Sequence, residues 1–194
     1  MTTTTRIRKV AVLGAGVMGS GIAAHLASNG IRTVLLDIVP PGETSDDPNK
    51  RNAFAAGGVA KALKAKPAAF LRKEAAELIT VGNFDDHMHL IADCDWVVEV
   101  VIERMDIKRS LFEKVESHWT PGTIVSSNTS GLSIAGMLEG RSDAFKAHLG
   151  QSVLFPKRLG SGEELAFGVM ECITNPYMNG ETIRLDGGIR MPPK

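Results

Sequence analysis

Arg8-Lys9-Val10-Ala11-Val12-Leu13-Gly14-Ala15-Gly16-Val17-Met18-Gly19-Ser20-Gly21-Ile22-Ala23-Ala24-His25-Leu26-Ala27 decides the fold. An apolar strand runs into Gly-x-Gly-x-x-Gly, which opens a helix of small residues. Each glycine has its own physical task in such a turn. Gly14 allows the tight exit from the strand, Gly16 lets backbone approach a pyrophosphate, and Gly19 lets the helix lie close to the sheet. The helix N-terminus then presents N–H groups without intrahelical partners to an anion. A second apolar strand, Thr33-Val34-Leu35-Leu36-Asp37, ends in an acid about 20 residues past the glycines. A glycine turn kept for packing alone leaves that acid unexplained, so the two strands together read as a dinucleotide site. The Asp37 carboxylate can accept hydrogen bonds from both ribose hydroxyls and repels a 2′-phosphate, which favours NAD over NADP.

The totals narrow the class. A chain of 194 residues is long enough for one well-buried α/β domain and short for two, so 1–194 is expected to form a single dinucleotide-binding domain. Lys plus Arg and Asp plus Glu balance at 22 each, which points away from nucleic acid and towards small-molecule partners. Met1-Thr2-Thr3-Thr4-Thr5 lacks the apolar core of a signal peptide, and no apolar run approaches membrane-spanning length. The chain therefore reads as cytoplasmic, with no membrane partner. Cys94 and Cys172 lack metal-type spacing and read as reduced thiols in or near the core. His87 and His89, two apart, do not share a helical face, so no metal site is expected.

Taken in order, Asn29-Gly30 stops the first helix. After the loop Val39-Pro40-Pro41-Gly42-Glu43 comes a helical pair, over 48–64 and 67–78, rich in Ala, Lys and Arg, which reads as an insertion after strand 2. A short strand at 79–81, a turn and short helix around Asp85-Asp86-His87, and an apolar strand at 96–101 follow. Next come a helix over 105–118, stopped by Trp119-Thr120-Pro121-Gly122, and a strand at 123–127. Near-continuous apolar runs alternating with helices mean a parallel sheet covered on both faces. The expected fold is an α/β doubly wound parallel sheet of Rossmann type, strand order 3-2-1-4-5-6. Its sixth strand, at 181–186, goes beside strand 5, where right-handed crossovers place it. That strand and a helix over 162–174, with Leu165, Val169 and Ile173 at helical spacing, are expected to cover the open edge of strand 5.

Several separated motifs, in order, carry a family resemblance. Val12-Leu13-Gly14-Ala15-Gly16-Val17-Met18-Gly19, the helical insertion, Val98-Glu99-Val100-Val101-Ile102-Glu103-Arg104-Met105-Asp106-Ile107-Lys108 and Ser127-Asn128-Thr129-Ser130-Gly131-Leu132-Ser133-Ile134 are its parts. Together they resemble the NAD-binding domain of the 3-hydroxyacyl-CoA dehydrogenases of fatty-acid β-oxidation, over 6–149. The resemblance implies Gly14, Ala15, Gly16, Val17, Met18 and Gly19 on the pyrophosphate and Asp37 on the adenosine ribose. It further implies Glu103 and Lys108 near the nicotinamide end, Asn128 beside the cofactor and Ser130 on the reacting oxygen. A solvated strand-to-helix turn is the lesser alternative for Glu103 and Lys108. The insertion would clamp acyl-CoA, with Lys61, Lys64 or Lys66 near the CoA phosphates; a merely solvated basic helix explains those lysines equally well.

The chain then departs from that family. His-Phe-Phe-Asn-Pro, whose histidine is the family's general base, is absent. His148 lacks the Asn-Pro that follows the base and looks like a helix-end histidine that precedes the motif, so no catalytic residue is assigned. From Gln151 onward, Ser152-Val153-Leu154-Phe155-Pro156-Lys157-Arg158-Leu159-Gly160, the 162–174 helix and the stretch from Asn175 to Gly188 resemble the C-terminal end of short-chain dehydrogenases. The nearest type is the one that also acts on 3-hydroxyacyl-CoA. Its Tyr-x-x-x-Lys pair is missing, since Tyr177 is the only tyrosine and Glu181 stands four residues on. In that family the matching segment completes the sheet and reaches a subunit interface, which leaves a homodimer open. The joined resemblances imply a recombined chain, an NAD(H)-binding domain without full catalytic machinery. The alternative is a working NAD-dependent 3-hydroxyacyl-CoA dehydrogenase that uses Ser130 and His148.

Overall fold

A computed structural model describes residues 7–129, 132–150, 158 and 160–175. These fall into two compact units divided between Leu132 and Ser133, and each is described by itself. In the first, β1 (Lys9–Leu13), β2 (Arg32–Asp37), β3 (Ile79–Asn83), β4 (Trp96–Glu99) and β5 (Ile124–Ser127) form one parallel sheet. Its order is β3-β2-β1-β4-β5, as the alternation of strands and helices indicated. The sixth strand expected at 181–186 lies outside the described residues. Register levels the carboxyl ends of the central strands, with Leu13 opposite both Leu36 and Glu99. The order reverses between β1 and β4, and a doubly wound sheet opens its ligand crevice at that reversal, beyond the carboxyl ends of the strands.

Both faces of the sheet are covered, which is why its strands are apolar throughout. On one face Val10, Val12, Leu35 and Val98 pack with Ala23 and Leu26 of α1 (Val17–Ser28) and Ala55 of α3 (Ala53–Lys64). The two helices approach closely because their facing residues are small: Ala24 and Ala27 of α1 cluster with Ala62 of α3 and with Phe70. Side chains alternate along a strand, so Glu99 faces away from Val98. Its bond to Lys108 therefore sets α4 (Met105–His118) on the opposite face, where Leu111, Phe112 and Val115 are buried.

The insertion differs from its expected form in two places. The helix expected over 48–64 divides at Asn52, which leaves helical geometry at φ −96° and ψ 11° between α2 (Pro48–Arg51) and α3. The Asn52 side chain accepts a 2.7 Å hydrogen bond from the buried Asn83 amide at the end of β3, so a tertiary contact coincides with the break. The second expected helix, 67–78, contracts to a 3₁₀ segment, Lys73–Leu78. Burial of Phe70 against α1 and α3, and a 3.1 Å bond from the Leu71 N–H to the Ser28 hydroxyl, lay the chain along α1 instead. Helix α3 forms part of the wall behind the glycine turn.

The second unit contains α5 (Ile134–Met137), α6 (Asp143–Gly150) and α7 (Gly162–Thr174), the last with the expected bounds. Leu165, assigned by its spacing to a buried face, is exposed. A reciprocal cap starts α7. The Ser161 hydroxyl accepts from the Glu164 N–H and the Glu164 carboxylate accepts from the Ser161 N–H, while Arg158 forks the same carboxylate at 2.6 and 2.9 Å. No described helix is long and apolar enough to cross a membrane.

The Arg158 guanidinium, and secondarily the Ser161 N–H, hold the Glu164 carboxyl down at about 2. A depressed carboxyl contributes to stability above its unfolded value and loses that contribution as pH falls through the folded one. Carbon-13 titration of Glu164 should therefore show ionisation down to about pH 2. A midpoint at the ordinary glutamate value of about 4.3 would mean that the cap and its arginine do not form in solution.

Candidate functional site

The glycine turn lies where the carboxyl ends of β1, β2 and β4 converge. Gly14 adopts φ +112°, and its N–H donates to the Leu36 carbonyl at 2.7 Å. A Cβ on Gly14 would stand 2.7 Å from the Val100 carbonyl oxygen, so the turn presses directly on the chain leaving β4. At Gly19 a Cβ would fall 1.8 Å from the Gly14 carbonyl oxygen, an overlap with rigid backbone that no rotamer change relieves. Gly16 has the opposite surroundings, with nothing within 4 Å of where its Cβ would be. It caps α1 without a side-chain hydrogen bond, and no acid occupies the first turn. The N–H groups of that turn lack intrahelical partners and border open space, which fits an anion seated on the helix.

A cavity of about 730 Å³ opens beside this turn, in the range usual for a small-molecule site. Gly14, Gly16, Val17, Met18 and Asp37, all read from the sequence, line it. Ala15 joins through its N–H, which donates to Asp37 Oδ2 at 2.6 Å, while Oδ1 accepts from the Ile38 N–H at 2.7 Å. The acid at the end of β2 thus reaches across to the turn at the end of β1. Phe84, Ile107 and Leu111 supply apolar wall to the cavity. No local pattern marks these three as site residues, because each belongs to a segment that reaches the crevice only once the sheet has formed.

Behind the turn, α3 makes a second close approach. A Cβ on Gly58 would lie 2.4 Å from Ser20 Oγ and 2.7 Å from the Ala15 carbonyl oxygen, to which the Ser20 hydroxyl itself donates at 2.8 Å. At the β4 side of the crevice the implied residues gather around one that sequence reasoning missed, Glu99. Lys108 is buried, with its ammonium 2.7 Å from Glu99 Oε1 and 3.4 Å from Glu103 Oε2. That departs from the solvated turn considered for the pair; only Glu103 is exposed, and it also accepts from the Thr129 hydroxyl at 2.6 Å. Asn128 is exposed at the end of β5, its N–H donating to the Glu99 carbonyl at 2.8 Å. Ser130 lies outside the described residues. The signal for Glu99 was present as a lone acid within an apolar strand.

Among the described residues no group of His, Cys, Asp or Glu side chains could hold a metal ion. Burial pushes the Cys94 thiol up to about 12, so it is a core residue rather than a nucleophile.

The family model for the "3-hydroxyacyl-CoA dehydrogenase, NAD binding domain" matches residues 9–149. The chain belongs to this family. A probable 3-hydroxyacyl-CoA dehydrogenase from Bacillus subtilis is 47% identical over 162 residues, covering 78% of this chain and 20% of the relative. Another from Deinococcus radiodurans is 50% identical over 141 residues, covering 73% of this chain and 39% of the relative. The chain therefore spans less than half the length of these curated relatives. Among solved structures, 3-hydroxybutyryl-CoA dehydrogenase from Escherichia coli K12 aligns with a TM-score of 0.50 at 26% identity, over 70% of this chain and 27% of that one. A diketoreductase aligns at 0.52 and 27% identity, over 77% of this chain and 48% of that one. The 3-hydroxyacyl-CoA dehydrogenase domain thus carries an NAD-binding Rossmann fold, as the glycine turn and Asp37 indicated. The recombined origin read from 151–194 gains no support, since the family match rests on 9–149 and both relatives are named for that one family.

The Gly58 contact yields a paired test. Gly58→Ala should destabilise by about 1–3 kcal/mol through overpacking and weaken NADH binding by displacing Ala15. Its neighbour Gly57 faces open space, so Gly57→Ala should leave NADH affinity unchanged and stability equal or slightly higher. Urea unfolding and NADH fluorescence titration of both variants check this; similar behaviour of the two would refute the coupling of α3 to the turn.

Proposed function

We propose that NAD(H) lies across the crevice with its pyrophosphate on the first turn of α1, its adenosine ribose on Asp37 and its nicotinamide towards the carboxyl ends of β4 and β5. The reaction served is the interconversion of 3-hydroxyacyl-CoA and 3-ketoacyl-CoA thioesters. Bound NAD+ supplies the acceptor for the hydride leaving C3. The observation that carries this reading is the Asp37 carboxylate, held over the glycine turn by the Ala15 N–H and facing the cavity. It ends the strand next to the glycine turn, where an acid accepts ribose hydroxyls in dinucleotide sites, and its charge opposes a 2′-phosphate. The role of Asn128 beside the cofactor, of Ser130 on the reacting oxygen and of Lys61, Lys64 or Lys66 near CoA phosphates belongs to the same proposal. The three lysines are exposed, which leaves them accessible to an anionic partner.

Asp37→Ala should cost NADH affinity about 1.5–3 kcal/mol, the worth of hydrogen bonds to a charged group. Asp37→Asn keeps an acceptor for the Ala15 N–H while removing the charge, so it should raise the NADPH-to-NADH affinity ratio with less damage to the turn. Fluorescence titration with both cofactors decides the matter. An unchanged ratio in both variants would remove Asp37 from the site.

We further infer that binding and turnover are separable in this chain. It lacks the His-Phe-Phe-Asn-Pro base motif, and a general base contributes about 10²- to 10⁴-fold to rate. NADH should bind while oxidation of 3-hydroxybutyryl-CoA stays low by about that factor. Robust oxidation abolished by His148→Ala would make His148 the base and overturn this part of the reading.

A further inference from the structure

Among the described residues that line the cavity three are charged, Asp37, Asp106 and Lys114. Arg104 forks Asp106 at 3.1 and 2.5 Å, so Lys114 is the cation that a ligand in the crevice would meet. A cation there bears on which dinucleotide binds, because a phosphate on the ribose 2′-hydroxyl needs positive charge to offset repulsion from Asp37. The Lys114 ammonium is not free for that task. It lies 2.8 Å from Asp85 Oδ1, on the turn that follows β3.

An exposed ion pair is weak on its own, and the side chains of Lys114 and Asp85 are 41% and 56% exposed. What keeps Asp85 at its post is the turn that carries it. Asn83, 0% exposed and opposite Asp37 in the sheet, spends its whole side-chain amide there. Its oxygen accepts from the Asp85 N–H at 2.9 Å and the Asp86 N–H at 2.8 Å, while its nitrogen donates to Asn52 Oδ1 at 2.7 Å and to Asp86 Oδ2 at 2.8 Å. Arg51 forks Asp86 at 2.7 and 2.8 Å, and the Phe84 N–H donates to the Asp37 carbonyl at 2.9 Å. The backbone at Asp85 is thus fixed from β2, β3 and α2, and its carboxylate meets α4. Each of two consecutive acids takes one cation: Asp86 the guanidinium of α2, Asp85 the ammonium on the cavity wall.

We propose that Asp85 is a positioning residue for cofactor selectivity, holding the Lys114 ammonium back from the place of a ribose 2′-phosphate. The proposal rests on the orientation of NAD(H) given above. Asp37 repels that phosphate, and Asp85 withholds the cation that would attract it; discrimination between two ligands draws on both kinds of element. Asp85 touches neither the ribose nor a reacting atom and acts through Lys114.

Calorimetry of the full chain with ADP-ribose and with 2′-phospho-ADP-ribose tests this. Asp85→Asn keeps the size of the side chain and the backbone bond to Asn83, and it releases Lys114. The ratio of 2′-phospho-ADP-ribose affinity to ADP-ribose affinity should rise by about three- to tenfold, and the gain should shrink as salt is raised from about 0.02 to 0.3 M. The double variant Asp85→Asn/Lys114→Met should return to the parent ratio. Lys114→Met alone should keep that ratio, since the ammonium is already withheld. Asp93→Asn is the control: it removes the same charge from an exposed pair with Lys9, at the start of β1, and should leave the ratio unchanged. An unchanged ratio in Asp85→Asn, a gain that survives the loss of Lys114, or an equal gain in Asp93→Asn overturns the proposal. So does a fall of the ratio in Lys114→Met, which would put Lys114 on the phosphate already. A parent chain that does not bind ADP-ribose overturns the cofactor reading itself, an outcome distinct from these.

Discussion

The close backbone contact between Gly19 and the Gly14 carbonyl governs everything downstream of β1. With 1.8 Å between that oxygen and the place of a Cβ, α1 can start only where it does, with its first turn against the end of the strand. That start aims the helix N-terminus at the crevice where the strand order reverses. Two more contacts of the same kind brace the turn, Gly14 on Val100 from the β4 side and Gly58 on Ala15 from α3. The anion cradle is therefore built from main chain held by main chain. Under the proposed cofactor placement, such a turn needs no reorganisation to receive an anion, which lowers the ordering cost of binding.

Two carboxylates flank the turn and show how environment divides one chemical group into two roles. Asp37, half-buried at the end of β2, spends its oxygens on two backbone N–H groups and still faces the cavity. Glu99, wholly buried at the end of β4, spends its oxygens on Lys108, Val101 and Ser127. The first is available to a ligand with hydroxyl donors; the second is committed to the protein. Strand β1 separates them, and of the two only Asp37 lines the cavity. The apolar wall of Phe84, Ile107 and Leu111 joins them.

Much of this was legible in the residues, for reasons that differ from element to element. The order of the five strands followed from apolar runs that only a twice-covered parallel sheet accommodates, and the bounds of α4 and α7 from helical spacing between clear stops. Five residues lining the cavity came from the glycine turn and the acid that answers it. The misread features share one cause, a tertiary contact that overrides local preference. Asn52 breaks a helix in an alanine-rich run where its side chain meets Asn83, and Phe70 draws 67–72 out of a helix and onto α1. The burial of Lys108 against Glu99 went unread, because the two stand nine positions apart on different elements and meet only once α4 packs on the sheet. Gly58 gave no signal, since a glycine inside a helix acquires meaning only from what stands opposite its missing side chain.

The central claim is that main chain at the β1–α1 turn, with Asp37 beside it, receives the cofactor. A crystal structure of the full chain with NADH tests that most directly. Pyrophosphate oxygens should accept from N–H groups in the first turn of α1, on the open side of Gly16, and the Asp37 carboxylate should lie within hydrogen-bond distance of the adenosine ribose. NADH density at another place on the protein, or a pyrophosphate out of contact with the Gly14–Gly19 turn, would contradict it.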